Sequence, residues 1–179
     1  RRLKELDLDA VIAGLERAME GGDSLATITL ARAYRELSWL IPDARARHAA
    51  LVEAYGRQLG PRYEMPERLE ALYDRNRHAE SRRRTYDALA RSEGQAFARG
   101  LQRLRSIDEM AFVYVLQNEL AALGYGPCAA SGRLTSCTLN AVLAFCSEAG
   151  IRETCNHGPL TYPASLEISR ALERARADS

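Results

Sequence analysis

The sequence predicts an all-α protein, and three observations carry that expectation. Apolar residues recur at spacings of three and four through most of the 179 residues, the period of a one-sided helix. Gly, Pro and short polar capping residues fall between those stretches rather than inside them. No stretch alternates β-branched and polar residues between turn dipeptides, so nothing reads as a strand. With 46% hydrophobic and 27% charged residues the chain can bury one or two modest cores, which excludes a disordered tail.

Taken in order, residues 3–19 carry the first helical pattern, which stops at Gly21-Gly22. Asp23 or Ser24 can cap the second helix, whose Leu25, Ile28, Leu30, Ala31, Tyr34 and Leu37 form a broad apolar stripe broken near Pro42. A third helix spans residues 44–59 and ends at Gly60-Pro61. Pro66 then opens a strongly charged stretch, residues 67–105, read as two helices with a break near Ser92-Gly94. From Ser106 the pattern changes: Ser106 followed by Glu109 is a capping box. The helix it opens places Met110, Val113, Leu116, Leu120 and Leu123 on one face and closes at Gly124. The expected organisation is an N-terminal helical bundle or short helical-repeat region, residues 1–105, followed by a compact three-helix module, residues 106–179.

Charge narrows the partners. Lys plus Arg number 25 against 24 Asp plus Glu, so there is no general attraction to nucleic acid or to anionic lipid. No apolar run approaches the roughly 20 residues that a membrane-spanning helix needs. The sequence opens on Arg1 rather than methionine, and we expect any export signal or anchor to lie outside these residues.

Two segments have a recognisable pattern. Residues 22–34, with the Gly22-Asp23 start, Ala26, Leu30, Ala31 and Tyr34, weakly resemble the Sel-type helical repeat, a relative of the tetratricopeptide repeat. Small side chains let a neighbouring helix approach, while the tyrosine fills the space between stacked pairs. Leu51-Val52-Glu53-Ala54-Tyr55 echoes the segment after 21 residues, short of the mid-thirties period of such repeats, so a plain bundle stays equally open.

The second pattern is longer. Leu116 to Tyr125 reads LQNELAALGY, then comes the small-Gly-hydrophobic step Ser131-Gly132-Arg133-Leu134, then a Thr-led helix with Thr138, Ala141, Val142 and Phe145. Gly150-Ile151 and Gly158-Pro159-Leu160 with Leu166 follow. In order and spacing this resembles the three-helix peptidoglycan-binding family of bacterial hydrolases, across about 60 residues. The resemblance implies a fold in which Val142 and Phe145 pack against Leu116, Leu120, Ile168 and Leu172, and a shallow glycan-peptide surface at the loops. Three positions depart from the family pattern: Ser131 replaces its usual acidic residue, Thr135 its glycine and Cys146 its glutamine.

Polar residues expected at that surface are Ser131, Arg133, Thr135, Asn140, Thr161 and Tyr162, with Ser136 and Asn156 near them. An amide-rich, sugar-bearing polymer needs hydrogen-bonding groups beside a little apolar or aromatic surface. Each also has a plainer reading, Ser136 or Thr135 as a helix cap and the others as solvated loop.

All four cysteines, Cys128, Cys137, Cys146 and Cys155, fall within 28 residues, a clustering that favours disulfides and an oxidising compartment. Cys137 and Cys146 sit nine residues apart on one helix, about 13 Å along its axis, too far to join. Of the two connectivities left, Cys128–Cys137 with Cys146–Cys155 ties each loop to the nearer helix end. Each such bridge adds about 2 to 3 kcal/mol by restricting the unfolded chain. Spacings of nine without a paired C-x-x-C, with His157 alone nearby, speak against zinc.

No catalytic pattern surrounds His48, His78 or His157. Glu64 with Glu67, Glu109 with Glu119, and the Arg82-Arg83-Arg84 run read as solvated helix faces. The expectation is therefore a non-catalytic cell-envelope protein, periplasmic or otherwise exported, without cofactor or metal. It would bind peptidoglycan through its C-terminal module and a protein partner through its N-terminal helices, as a localisation or scaffold factor. The alternative keeps the fold without glycan binding, as a protein-interaction module in a secretion or polysaccharide-export assembly.

Overall fold

The computed structural model describes residues 7–126 and 128–178, and all regular structure among them is helical. The chain divides into two compact units, Arg1–Ala71 and Leu72–Ser179.

In the first unit, the carboxylate of Asp7 accepts from the Ala10 amide and starts α1 (Leu8–Glu20). The part of the expected first helix before Asp7 lies outside the described residues. Gly22, at φ 91°, turns the chain out of α1, a conformation that favours glycine. Of the two expected caps, Asp23 serves: its Oδ1 accepts from the Leu25 and Ala26 amides at 2.8 and 3.1 Å and opens α2 (Ser24–Glu36). Next come α3 (Ala44–Tyr55), a 3₁₀ turn (Gly56–Leu59) and α4 (Gly60–Leu72). The third helix thus stops four residues short of expectation as α-helix and tightens before Gly60, which has φ 69°.

Helix α2 is central, packing against both α1 and α3. Its Ala26, Leu30, Ala31 and Tyr34, the residues of the repeat-like pattern, are all buried. They join Ile12, Met19, Ile41, Leu51, Val52 and Leu59 in one core. The Tyr34 hydroxyl donates to Glu16 Oε1 at 2.7 Å, and Arg47 donates to the same oxygen at 2.6 Å. Burial, reinforced by that carboxylate, pushes the Tyr34 phenol up to about 12.

Pro66 does not open a helix; it lies inside α4. Its missing N–H forfeits the bond to the Arg62 carbonyl, but Arg62 is exposed, so water can take that oxygen. Glu67 beside it corrects a second expectation. It is 5% exposed rather than solvated, held by the Arg35 guanidinium and by His48 Nε2 at 2.9 Å. Burial pushes its carboxyl up, but the His48 hydrogen bond and the Arg35 charge outweigh burial and hold it below the usual glutamate range.

The second unit contains α5 (His78–Ala90), α6 (Gly94–Ile107), α7 (Glu109–Ala122), α8 (Ser136–Glu148), the single turn α9 (Arg152–Cys155) and α10 (Tyr162–Ala177). Val142, Phe145, Leu116, Leu120, Ile168 and Leu172 are all buried, as the expected three-helix core requires. The module is not cut off at residue 105, however. Helix α10 packs chiefly on α6, α6 packs on α7, and α5 packs on both α6 and α7. Phe97, Leu101 and Leu104 of α6 are fully buried, so the compact unit begins some thirty residues earlier than the change in sequence pattern suggests.

The same packing moves a cap. Ser106 lies in the last turn of α6, and Asp108, in extended conformation, caps α7 by accepting from the Met110 amide at 2.8 Å. Residues on nearly every side of α7 are buried. Met110, expected on its apolar stripe, is instead 45% exposed at the helix start.

Glu119 repeats the lesson of Glu67. It is 5% exposed and accepts from Arg176 Nη1 at 2.6 Å. The other terminal nitrogen of Arg176 donates to the Ala90 and Ser92 carbonyls, and its guanidinium sits 4.3 Å from the Phe97 ring centre. One arginine therefore ties the end of α10 to α7, to the α5–α6 turn and to α6.

Two outcomes follow for stability. Arg176→Leu leaves the Glu119 carboxylate buried and unpaired, and costs about 3 kcal/mol in denaturant unfolding. Adding Glu119→Leu recovers most of that loss, and a double variant as unstable as the single one would contradict the pairing. For Glu67, an unfolded glutamate titrates near about 4.3. A depressed folded value means its pairing stabilises above that pH and is lost as pH falls through the folded value. Glu67→Gln should therefore lower stability at neutral pH and flatten the acid limb of a stability–pH curve.

Candidate functional site

The expected site is built on the loop between α7 and α8, which both sulfur chemistry and a buried amide hold in place. Cys128 and Cys137 form a disulfide with Cα atoms 5.8 Å apart, and Cys146 and Cys155 a second at 6.4 Å. This is the expected one of the two pairings that the helix geometry left, tying each loop to the nearer helix end, and it leaves no cysteine thiol free. The first bridge ties the loop to the first turn of α8, and the second ties the end of α8 to α9.

Between the cysteines the loop folds around Gln117, 2% exposed on α7. Its Oε1 accepts from the amides of Ser131 and Gly132 at 2.9 and 2.8 Å. Its Nε2 donates to the Arg133 carbonyl at 2.9 Å and to Thr138 Oγ1 at 2.8 Å. All the hydrogen-bonding positions of the amide are thereby filled. Arg82 of α5 donates to the Ser131 carbonyl at 3.1 Å. Gly132, at φ 75°, sits so close to α7 that a Cβ would lie 2.6 Å from the Met110 carbonyl oxygen; only glycine fits there. Thr135 completes the loop as the cap of α8, its hydroxyl accepting from the Thr138 amide at 3.3 Å.

A second loop, before α10, is tied to the same region. Arg105 in the last turn of α6 donates to the Leu160 carbonyl at 2.7 Å, while Gly132 lies against Met110 at the start of α7. The two loops therefore attach on either side of the α6–α7 junction. That junction is itself locked by Tyr73, whose hydroxyl donates to Asp108 Oδ2 and lies 2.8 Å from His78 Nδ1. Burial and then the Asp108 carboxylate push the Tyr73 phenol well above its usual range.

Among the six expected ligand residues, Ser131, Arg133 and Thr135 share the first loop, and Thr161 and Tyr162 the second. Asn140 stands exposed on α8. Their hydrogen bonding divides them differently. The Ser131 hydroxyl accepts from the Arg133 amide, Thr135 caps α8, and the Thr161 hydroxyl donates to the Gly158 carbonyl. Ser131, Arg133, Thr135, Asn140 and Tyr162 are nonetheless all exposed, the last 64%, together with the apolar Met110 and Leu134. Asn156 stands apart, accepting from Arg152 within α9.

A depression of about 390 Å³ beside α9 is lined by Gly150 to Thr154 and Glu167, and by none of the six. Among the described residues no group of three His, Cys, Asp or Glu is placed to hold a metal ion. Taken one by one, Arg133 offers a cation, Tyr162 a phenol ring and Asn140 a carboxamide at exposed positions.

Sequence reasoning missed Gln117 and Arg82. Gln117 had a signal: it lies four residues after Val113 and three before Leu120, on an apolar stripe, where a buried amide must find polar partners. Arg82 had none, since its contact reaches across 49 residues of sequence.

No family model, no curated protein and no solved structure matches this chain.

Replacing Gln117 by Leu strips the buried Gly132 amide of its acceptor, while the Ser131 amide keeps the Ala129 carbonyl; the loss costs about 1 to 3 kcal/mol. Amide hydrogen exchange at Gly132 should rise with it, and unchanged exchange there would show that Gln117 does not hold the loop.

Proposed function

We propose that this is a non-catalytic cell-envelope protein that docks on peptidoglycan through the two loops of its second unit and recruits a protein partner through its N-terminal helices. The observation that carries the reading is the α7–α8 loop, clamped by Cys128–Cys137 and filled from behind by Gln117. It holds Arg133 and Leu134 outward, while Tyr162 stands on the loop tied to the same helical junction. A preorganised surface of this kind suits an amide-rich, sugar-bearing polymer, because little ordering entropy is lost on binding. The resemblance of residues 116–166 in order and spacing to the peptidoglycan-binding family is a second support.

An exported location is favoured by the two disulfides, which persist in oxidising surroundings. No helix among the described residues is long and apolar enough to cross a membrane. In the first unit, the adjacent Trp39 and Leu40 after α2 are 78% and 48% exposed, which supports a protein partner there.

One observation favours the second reading, a protein-interaction module that has lost glycan binding. The hydroxyls of Ser131, Thr135 and Thr161 each make a hydrogen bond within the fold, while Met110 and Leu134 present apolar surface, 45% and 38% exposed. Co-sedimentation with purified sacculi separates the two. The first reading expects retention at low salt, falling about tenfold in Arg133→Ala with Tyr162→Ala, on the scale of a lost binding hot spot. No retention of the wild-type protein would rule out wall docking and leave the interaction module.

A further inference from the structure

The two disulfides have the same sequence separation but opposite surroundings. Cys146 and Cys155 are 0% and 1% exposed, sealed between α8 and α9. Cys137 is exposed at the first turn of α8, and Cys128 is only half-buried. Thiol–disulfide exchange needs an incoming thiolate to reach a sulfur along the S–S axis, so solvent access separates exchangeable bridges from inert ones. We propose that Cys128–Cys137 is a thiol–disulfide exchange site in the folded protein, taking a dithiol as its reaction partner, while Cys146–Cys155 is a purely structural staple.

The local structure supplies a leaving group. Cys137 is the second residue of α8, after the Thr135 cap and Ser136, where unpaired helix amides stabilise a thiolate. A thiolate of the dithiol attacks Cys128 Sγ, forming a mixed disulfide as the Cys128–Cys137 bond breaks and Cys137 departs as thiolate. The second thiolate of the dithiol then attacks its own sulfur in that mixed disulfide and releases Cys128. The dithiol ends oxidised to a disulfide, both cysteines end as thiols carrying the two protons, and two electrons have passed to the protein. The Cys146 and Cys155 sulfurs offer neither access nor such a leaving position.

Opening the bridge would act locally. Residues 131–133 stay held by Gln117 and Arg82, and Thr135 still caps α8. The segment that loses its anchor is residues 128–130, where Ala129 and Ala130 are already exposed. The inference does not depend on what the loop binds.

The test uses the native oxidised protein and dithiothreitol as the dithiol probe, with samples quenched by alkylation over time and each cysteine followed by peptide mass spectrometry. Cys128 and Cys137 should become alkylated at least about tenfold faster than Cys146 and Cys155, with helical circular dichroism unchanged. Hydrogen exchange of the singly opened protein should rise in residues 128–130 and stay near native in α8. Equal rates for both bridges would overturn the proposal, and so would loss of helicity in step with opening of the outer bridge. Cys128→Ser with Cys137→Ser provides the control, keeping the inner bridge resistant to the probe; an inner bridge that then opens quickly also counts against the assignment.

Discussion

A primary amide taken out of water must have its two N–H groups and its carbonyl oxygen partnered, or the fold loses free energy for each one left bare. Gln117 meets that requirement only with the α7–α8 loop in a single conformation, because its partners are the backbone of three successive residues, Ser131, Gly132 and Arg133, plus the Thr138 hydroxyl. The left-handed turn at Gly132, the close approach to Met110 and the outward aim of Arg133 and Leu134 all follow from that arrangement. Neutral hydrogen bonds contribute about 1 kcal/mol each, so the amide matters less for its net gain than for excluding other loop conformations.

Buried carboxylates impose the same discipline on each unit separately. Glu67 is reached by Arg35 from α2 and His48 from α3, and Glu119 by Arg176 from the far end of α10. A desolvated ion pair is a weak source of stability but tolerates little displacement of either partner. These pairs therefore fix how α4 sits on α2 and α3 in the first unit, and how the last turn of α10 meets α7 in the second. Phe97 under the Arg176 guanidinium adds a face that fits only that placement.

The second unit also shows that a sequence pattern and a folding unit need not share a boundary. The sequence pattern changes at Ser106, in the last turn of α6, yet α10 finds its largest contact on α6 and leaves α8 mainly to α7 and α9. Without α5 and α6, the faces of α7 and α10 that bury Phe97, Leu101 and Leu104 would stand in water. The loops that carry the proposed surface inherit this dependence, since Arg82 and Arg105, which hold them, come from those two helices.

What the sequence determined is what can be decided within a turn or two of chain. The all-α class, the stop at Gly22, a cap at Asp23 or its neighbour Ser24, and the burial of Leu30, Ala31 and Tyr34 on α2 follow from the helical period and from local hydrogen bonding, although Leu25 of the same stripe is left exposed. For the disulfides the sequence went part of the way: nine residues of helix hold Cys137 and Cys146 apart, which removes one of the three pairings and leaves two. What only tertiary structure decided depends on which faces meet. Glu67 and Glu119 look like any charged residue on a helix until a cation arrives from another element, and Met110 looks like core until its turn of α7 is left at the rim. Ser106 makes a sound cap by itself, but the buried face of α6 carries that helix past it. Of the candidate site, the α7–α8 loop with its exposed Arg133 and the exposed Tyr162 at the start of α10 could be read in advance, whereas the role of Arg82 could not. Local periodicity encodes each helix, but only the folded chain brings residues 82 and 131 to hydrogen-bonding distance.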